Sequence, residues 1–111
     1  MKIFLIGING KMGRAICDAA EQSGVTVAGG IDVSGEGRYK VFRNAAEVDV
    51  DFDCIIDFSR PAALGDVIAL ARRTKKPAVI ATTGYTDEQL AEIEALSSEV
   101  PVFRSANMSV G

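Results

Sequence analysis

The 111 residues include no histidine. That absence removes the commonest general acid–base and the commonest metal ligand from any chemistry housed here. Cysteine is scarce: Cys17 and Cys54 stand apart, without a C-x-x-C. Such a pair suits two reduced, buried thiols in a cytoplasmic protein rather than a disulfide framework. No apolar run approaches the roughly 18 residues of a membrane span. The opening MKIFLIG stops at Gly7 without a small-residue cleavage site, so it reads as a first strand and not as a signal peptide. Positive charge is not concentrated either. With a net charge of -3 and no long cluster of Lys and Arg, nothing suggests a nucleic-acid surface. What is present is globular: 48% hydrophobic and 24% charged, at a length that suits one core.

The apolar pattern alternates between two periods. Residues 2–7 form a continuous apolar run, the mark of a strand covered on both faces. Met12, Ala15, Ile16, Ala19 and Ala20 then recur at helical spacing, with Gly24 as a stop. Residues 25–32 read as a second strand and 33–40 as a Gly-rich, charged loop. Asn44 and Glu47 cap a short helical turn. Residues 53–59 are a strand, and Ser59 and Pro61 open a helix with the stripe Leu64, Val67, Ile68 and Ala71. A strand at 77–84 precedes a capping box, Thr86 and Gln89, for a helix carrying Leu90, Ile93 and Leu96. Residues 100–106 form the last strand. Strand and helix alternating in this way predict an α/β doubly wound parallel sheet, one domain of three layers. Ligands in such sheets sit beyond the carboxyl ends of the strands.

GINGKMG, residues 7–13, lies between the first strand and the first helix. Glycine permits positive φ and leaves no Cβ in a ligand's way. The free N–H groups of a helix's first turn attract an anion. Gly7 is expected to make the turn, Gly10 to let a pyrophosphate touch the backbone, and Gly13 to let the helix pack closely. G-x-x-G-x-x-G is one residue longer than the common dinucleotide motif and by itself also fits a purely structural turn. Asp32, closing the second strand, adds an acid that can accept from the hydroxyls of an adenine ribose. Lys11 is either a phosphate-loop cation or a solvated helix residue. Thr82 and Thr83 in TTGYTD either face a ligand or shape a loop, whereas Thr86 caps. Asn107 and Ser109 follow the last strand, where a plain turn is the alternative.

GINGKMG at 7–13, TTGY at 82–85 and SANMSVG at 105–111 together resemble the bacterial dihydrodipicolinate reductases, also called 4-hydroxy-tetrahydrodipicolinate reductases, of lysine and diaminopimelate biosynthesis. IIDFSRP at 55–61 fits the same family. The resemblance implies a Rossmann-like domain that binds NADH or NADPH, with NADH favoured. Gly7, Ile8, Asn9, Gly10, Lys11 and Met12 match the family's dinucleotide loop, and Gly13 closes it. Asp32 stands where the family places an acid on the adenosine ribose, and Phe58 joins the cofactor set through its segment. Ala81, Thr82 and Thr83 match a Gly-Thr-Thr segment along the nicotinamide half, with Thr83 also reaching a substrate carboxylate. Ser105, Ala106, Asn107 and Met108 match the segment that borders the nicotinamide.

Two departures bear on the cofactor. Ala81 replaces the usual glycine, and Val33 stands where some relatives place an arginine for a 2′-phosphate, a part Arg38 or Lys40 can take. The family's His-His pair, catalytic-region lysine and substrate-gripping Gly-Thr find no match. Residues 1–111 are therefore expected to be the dinucleotide-binding domain, ending at the hinge to a substrate domain. In the complete enzyme a hydride would pass to a cyclic dicarboxylate, and this domain alone would be inactive. A homo-oligomer through the other domain is implied. The alternatives are the cofactor domain of another two-domain dehydrogenase, of the glucose–fructose oxidoreductase or aspartate dehydrogenase type, or a stand-alone NAD(H)-sensing module.

Overall fold

The apolar run after Met1 forms β1 (Lys2–Ile6), whose side chains divide between two cores. Phe4 and Ile6 face one layer, Ile3 and Leu5 the other, which is why polar residues do not interrupt the run. In this computed structural model the described residues are 1–33, 39–82 and 84–104. Parallel partners flank β1 on both sides: β2 (Thr26–Ile31) and β4 (Cys54–Asp57). With β3 (Val41–Phe42), β5 (Ala78–Ile80) and β6 (Val102–Arg104), the sheet has the order β3-β2-β1-β4-β5-β6, parallel throughout.

The chain first steps outward from β1 to β2, then returns past β1 to β4. Crossovers of one hand put helices on opposite faces when the direction of stepping reverses. Accordingly α1 (Lys11–Ser23) packs Cys17 and Ala20 against Ile3, Leu5 and Val27. On the other face α2 (Leu64–Thr74) and α3 (Asp87–Ser97) bury Val67, Ala71, Ile93 and Leu96 against Phe4 and Ile55. Phe52 fills the centre of that core, its ring centroid 5.0 Å from that of Phe4. The crevice between the ends of β1 and β4 is the point of reversal, where this architecture binds its ligands.

The local signals read from the sequence are realised in several places. Gly24 ends α1 in the left-handed region at φ 76°. Asn44 accepts the Glu47 N–H at 3.2 Å over a 3₁₀ turn, Ala45–Glu47. Both halves of the Thr86–Gln89 box are present, at 3.2 and 2.9 Å. Cys17 and Cys54 form no disulfide; Cys17 is buried as expected, whereas Cys54 is only half-buried. No helix among the described residues is long and apolar enough to cross a membrane.

Three expectations need correction. β3 is a strand within what read as the continuation of a loop; two residues carry no period, and pairing with Gly30 and Ile31 makes the strand. The strands are shorter than their apolar runs, because the flanking residues leave the sheet as connecting loops. Ser59 does not open a helix. Pro61 starts a 3₁₀ turn, Pro61–Ala63, that leads into α2, with Arg60 before it, and Ser59 bonds elsewhere.

Candidate functional site

The site begins at the exit of β1. Gly7 adopts φ 87°, a conformation that costs other residues strain, and its N–H donates to the Ile31 carbonyl at 2.8 Å. The Gly10 N–H closes the turn on the Gly7 carbonyl at 3.0 Å. Gly10 itself is extended, at φ −74° and ψ 174°, so its conformation needs no glycine; what it contributes is a bare approach to the backbone. Gly13 answers a different demand. A Cβ there would stand 2.4 Å from the Ile8 carbonyl oxygen and 2.5 Å from that of Gly7. At Gly13 the helix therefore packs against the turn's carbonyls.

No side chain caps α1 at Gly10, and its first turn carries no acid. Its free N–H groups and the positive end of the helix dipole are left for a ligand, with Lys11 and Arg14 at the rim. A groove of about 580 Å³ lies over this turn. Gly7, Asn9, Gly10, Lys11, Met12, Gly13 and Arg14 line it, with Asp32 just after β2 and Phe58, Ser59 and Arg60 just after β4. Ile8 does not join them: its side chain is buried in the core beside Ile3 and Leu5. Beyond Asp32 a second hollow of about 280 Å³ is bordered by Ile31, Val33, Arg43 and Arg60.

Asp32 is half-buried and ties the two halves of the groove together. One carboxylate oxygen accepts the Asn9 N–H at 2.9 Å, and the other accepts the Val33 N–H at 2.7 Å. Each oxygen keeps a lone pair for a further donor. The donor set thus fits a dinucleotide: bare helical N–H groups for a diphosphate, an acid one strand over for ribose hydroxyls, and an apolar wall.

Ala81 and Thr82 follow β5 and do not line that groove. The Ala81 N–H donates to the Asp57 carbonyl at 2.8 Å, while Thr82 is buried. Thr83, Ser105, Ala106, Asn107 and Met108 lie outside the described residues, as does Arg38. Lys40, the other substitute cation, pairs with Asp49 at 3.1 Å.

One group escaped the sequence reading. Asp57, at the end of β4, is 0% exposed. Its Oδ1 accepts the Ser59 N–H at 2.9 Å and the Ser59 hydroxyl, and the Tyr85 hydroxyl stands 3.4 Å from Oδ2. Burial pushes the Asp57 carboxyl above the ordinary carboxylate value, against the lowering effect of these donors. The same burial, then the Asp57 charge, pushes the Tyr85 phenol up to about 12. Thr82 Oγ1 is near enough to favour both ionised forms, yet it is buried and meets no partner at hydrogen-bond geometry. The signal was an acid closing an apolar strand, with a serine two residues on.

Strand order and the glycine turn at the exit of β1 define a Rossmann-like α/β fold. Residues 1–108 match the family model described as dihydrodipicolinate reductase, N-terminus, and the chain belongs to that family. It is 40% identical over its full length to a 4-hydroxy-tetrahydrodipicolinate reductase of Clostridium perfringens, covering 45% of that protein. It is 45% identical to the protein of the same name from an Exiguobacterium species, again over its full length and 43% of the relative. The chain thus spans under half the length of these curated relatives. Among solved structures, the dipicolinate-bound dihydrodipicolinate reductase of Paenisporosarcina sp. TG-14 shares the fold, with a TM-score of 0.79 at 21% identity over 99% of this chain and 48% of that one.

Proposed function

We propose that this chain is the NAD(P)H-binding domain of a 4-hydroxy-tetrahydrodipicolinate reductase acting in lysine and diaminopimelate biosynthesis. The observation that carries the reading is the Asp32 carboxylate bound to the Asn9 N–H, in a groove that also includes the first turn of α1. Bound there, the cofactor supplies a hydride for a cyclic dicarboxylate substrate. The chain's residues bind and orient. The first turn of α1 holds the diphosphate, Asp32 the adenosine ribose, and Phe58 with the segment after β5 borders the nicotinamide half, where Thr83 meets a substrate carboxylate. Ser105, Ala106, Asn107 and Met108 continue that border.

NADH is the favoured cofactor, because Asp32 accepts from ribose hydroxyls and repels a 2′-phosphate. In this reading a substrate domain closes over the nicotinamide and brings substrate to hydride-transfer distance. Self-association through that domain, in the cytoplasm, belongs to the same reading. The test is titration of the purified 111-residue chain with NADH and with ADP-ribose, beside an assay of NADH oxidation with pathway substrate. Binding of both ligands with turnover at background is expected. Absence of binding by either ligand would overturn the reading.

A further inference from the structure

Among the described residues, no cation is bonded to the buried Asp57 carboxylate. The neighbours that meet its carboxylate are neutral donors, two from Ser59 and one from Tyr85. Because every one donates, they suit the ionised, acceptor-only form. Burying a carboxylate in such company is costly when nothing uses the charge. Among the cations of other elements, the Arg104 guanidinium of β6 sits over the Tyr85 ring, 5.8 Å from its centroid, and Arg60 is exposed. Beside the carboxylate the Thr82 hydroxyl is buried and unpartnered, so the pocket's polar groups are not fully satisfied from within.

Position supplies the use. In this strand order a dinucleotide lies across the crevice between β1 and β4. Asp32 marks the adenosine end over β2, so the other nucleoside falls on the side of β4 and β5, above Asp57 and Thr82. Nicotinamide is neutral when reduced and cationic when oxidised. A buried anion beneath it interacts with only one of these states, and the low dielectric preserves the interaction.

We propose that the Asp57 carboxylate, held by Ser59 and Tyr85, biases this site toward the oxidised, cationic nicotinamide. The inference rests on the dinucleotide reading above and assigns a role to a residue outside the groove. Asp57 touches no ligand and acts through its field. That field would stabilise the positive charge a bound nicotinamide ring acquires as its hydride, with both electrons of the C–H bond, passes to a substrate carbon.

The experiment measures dissociation constants for NAD+, NADH and ADP-ribose at neutral pH, in the 111-residue chain and in Asp57→Asn. In the variant, the affinity for NAD+ relative to NADH falls, on the order of tenfold for a nearby unit charge at intermediate dielectric. ADP-ribose, which lacks the ring, binds alike to both proteins. A merely structural role would weaken all three ligands together and leave the ratio fixed, and that result overturns the proposal. Should Asp57→Asn fail to fold, the double variant Ser59→Ala/Tyr85→Phe decides. It strips the donors that hold the charged form, so the ratio moves the same way by less, and an unchanged ratio again overturns the proposal. Failure of the wild-type chain to bind any of the three ligands overturns the dinucleotide reading itself, a result distinct from binding with an unaltered ratio.

Discussion

The carboxylate of Asp32 accepts the backbone N–H of Asn9 at 2.9 Å, so the acid proposed to meet the ribose also fastens the glycine turn to the end of β2. Its second oxygen is held by Val33 at 2.7 Å. The group has two tasks, and substitutions separate them. Asp32→Ala removes both and weakens NADH. Hydrogen bonds to a charged group are worth about 1.5–3 kcal/mol, roughly tenfold or more in affinity. NADPH loses less, since the repulsion of its 2′-phosphate disappears as well, so the gap between the cofactors narrows. Asp32→Asn keeps a carbonyl for Asn9 and should retain more NADH affinity than the alanine variant. Calorimetric titration of both cofactors against the three proteins measures this. Unchanged NADH affinity in Asp32→Ala would remove the residue from the site.

The glycines of the turn are not equivalent, and the variants should behave differently. A side chain at Gly13 meets two backbone carbonyls at 2.4 and 2.5 Å, neither of which can yield without moving the turn. Gly13→Ala should destabilise the fold by about 1–3 kcal/mol, the usual cost of overpacking, and disorder the groove. At Gly10 the nearest atom to an added Cβ is the Gly7 carbonyl oxygen, 3.3 Å away, and the backbone is already extended. Gly10→Val should fold and melt close to wild type while losing NADH. A Gly10→Val chain that binds normally would show that no diphosphate approaches there.

These contrasts mark what was legible. Motifs within a few residues of one another, such as the glycine turn, Asn44 with Glu47 and Thr86 with Gln89, announce themselves because one turn of chain contains both partners. Val41 and Phe42 had no such signal, since their strand exists only through pairing with β2. Asp57 was hidden differently. It closes an apolar run, so it reads as the end of a strand, and its partner Tyr85 lies 28 positions away. Ser59 before Arg60-Pro61 looks like a helix cap until the carboxylate two residues back claims both its N–H and its hydroxyl. Ile8, inside the glycine motif, read as a ligand contact because sequence order does not tell which way a turn residue points.

Gln89 joins α3 to the entry of α2. Its Oε1 accepts the Thr86 N–H at 2.9 Å while its Nε2 donates to the Pro61 carbonyl at 3.0 Å. Thr86→Ala removes only the cap, with a loss of about 1 kcal/mol. Gln89→Glu keeps the acceptor for Thr86 but replaces the donor to Pro61 with a carboxylate oxygen. It should therefore cost stability although the capping box survives. Urea denaturation of the two single variants and the double variant tests the arrangement. A Gln89→Glu chain as stable as wild type would mean that the Pro61 bond contributes nothing net.

The pH dependence of stability should carry the signature of Asp57. Its folded value lies above 3.8, so in the range between the two values the native state binds the extra proton. Stability then falls as pH rises. The contribution is fully present below 3.8, is lost as pH passes through the folded value, and is flat above it. Asp53 works in the opposite sense. The Lys2 N–H at 2.7 Å leads the causes that hold its carboxyl below 3.8, so its contribution is present at neutral pH and is lost on acidification through the folded value. The two trends overlap in the wild-type curve, and substitution separates them. Relative to Asp57→Asn, the wild-type chain should lose stability as pH rises from about 4 through the folded value of Asp57, and the two curves should run parallel above it. Relative to Asp53→Asn, it should lose stability only on the acid side. Denaturant unfolding at a series of pH values resolves both differences. A wild-type curve parallel to that of Asp57→Asn from pH 4 to neutrality would show that burial does not raise the proton affinity of Asp57 at all.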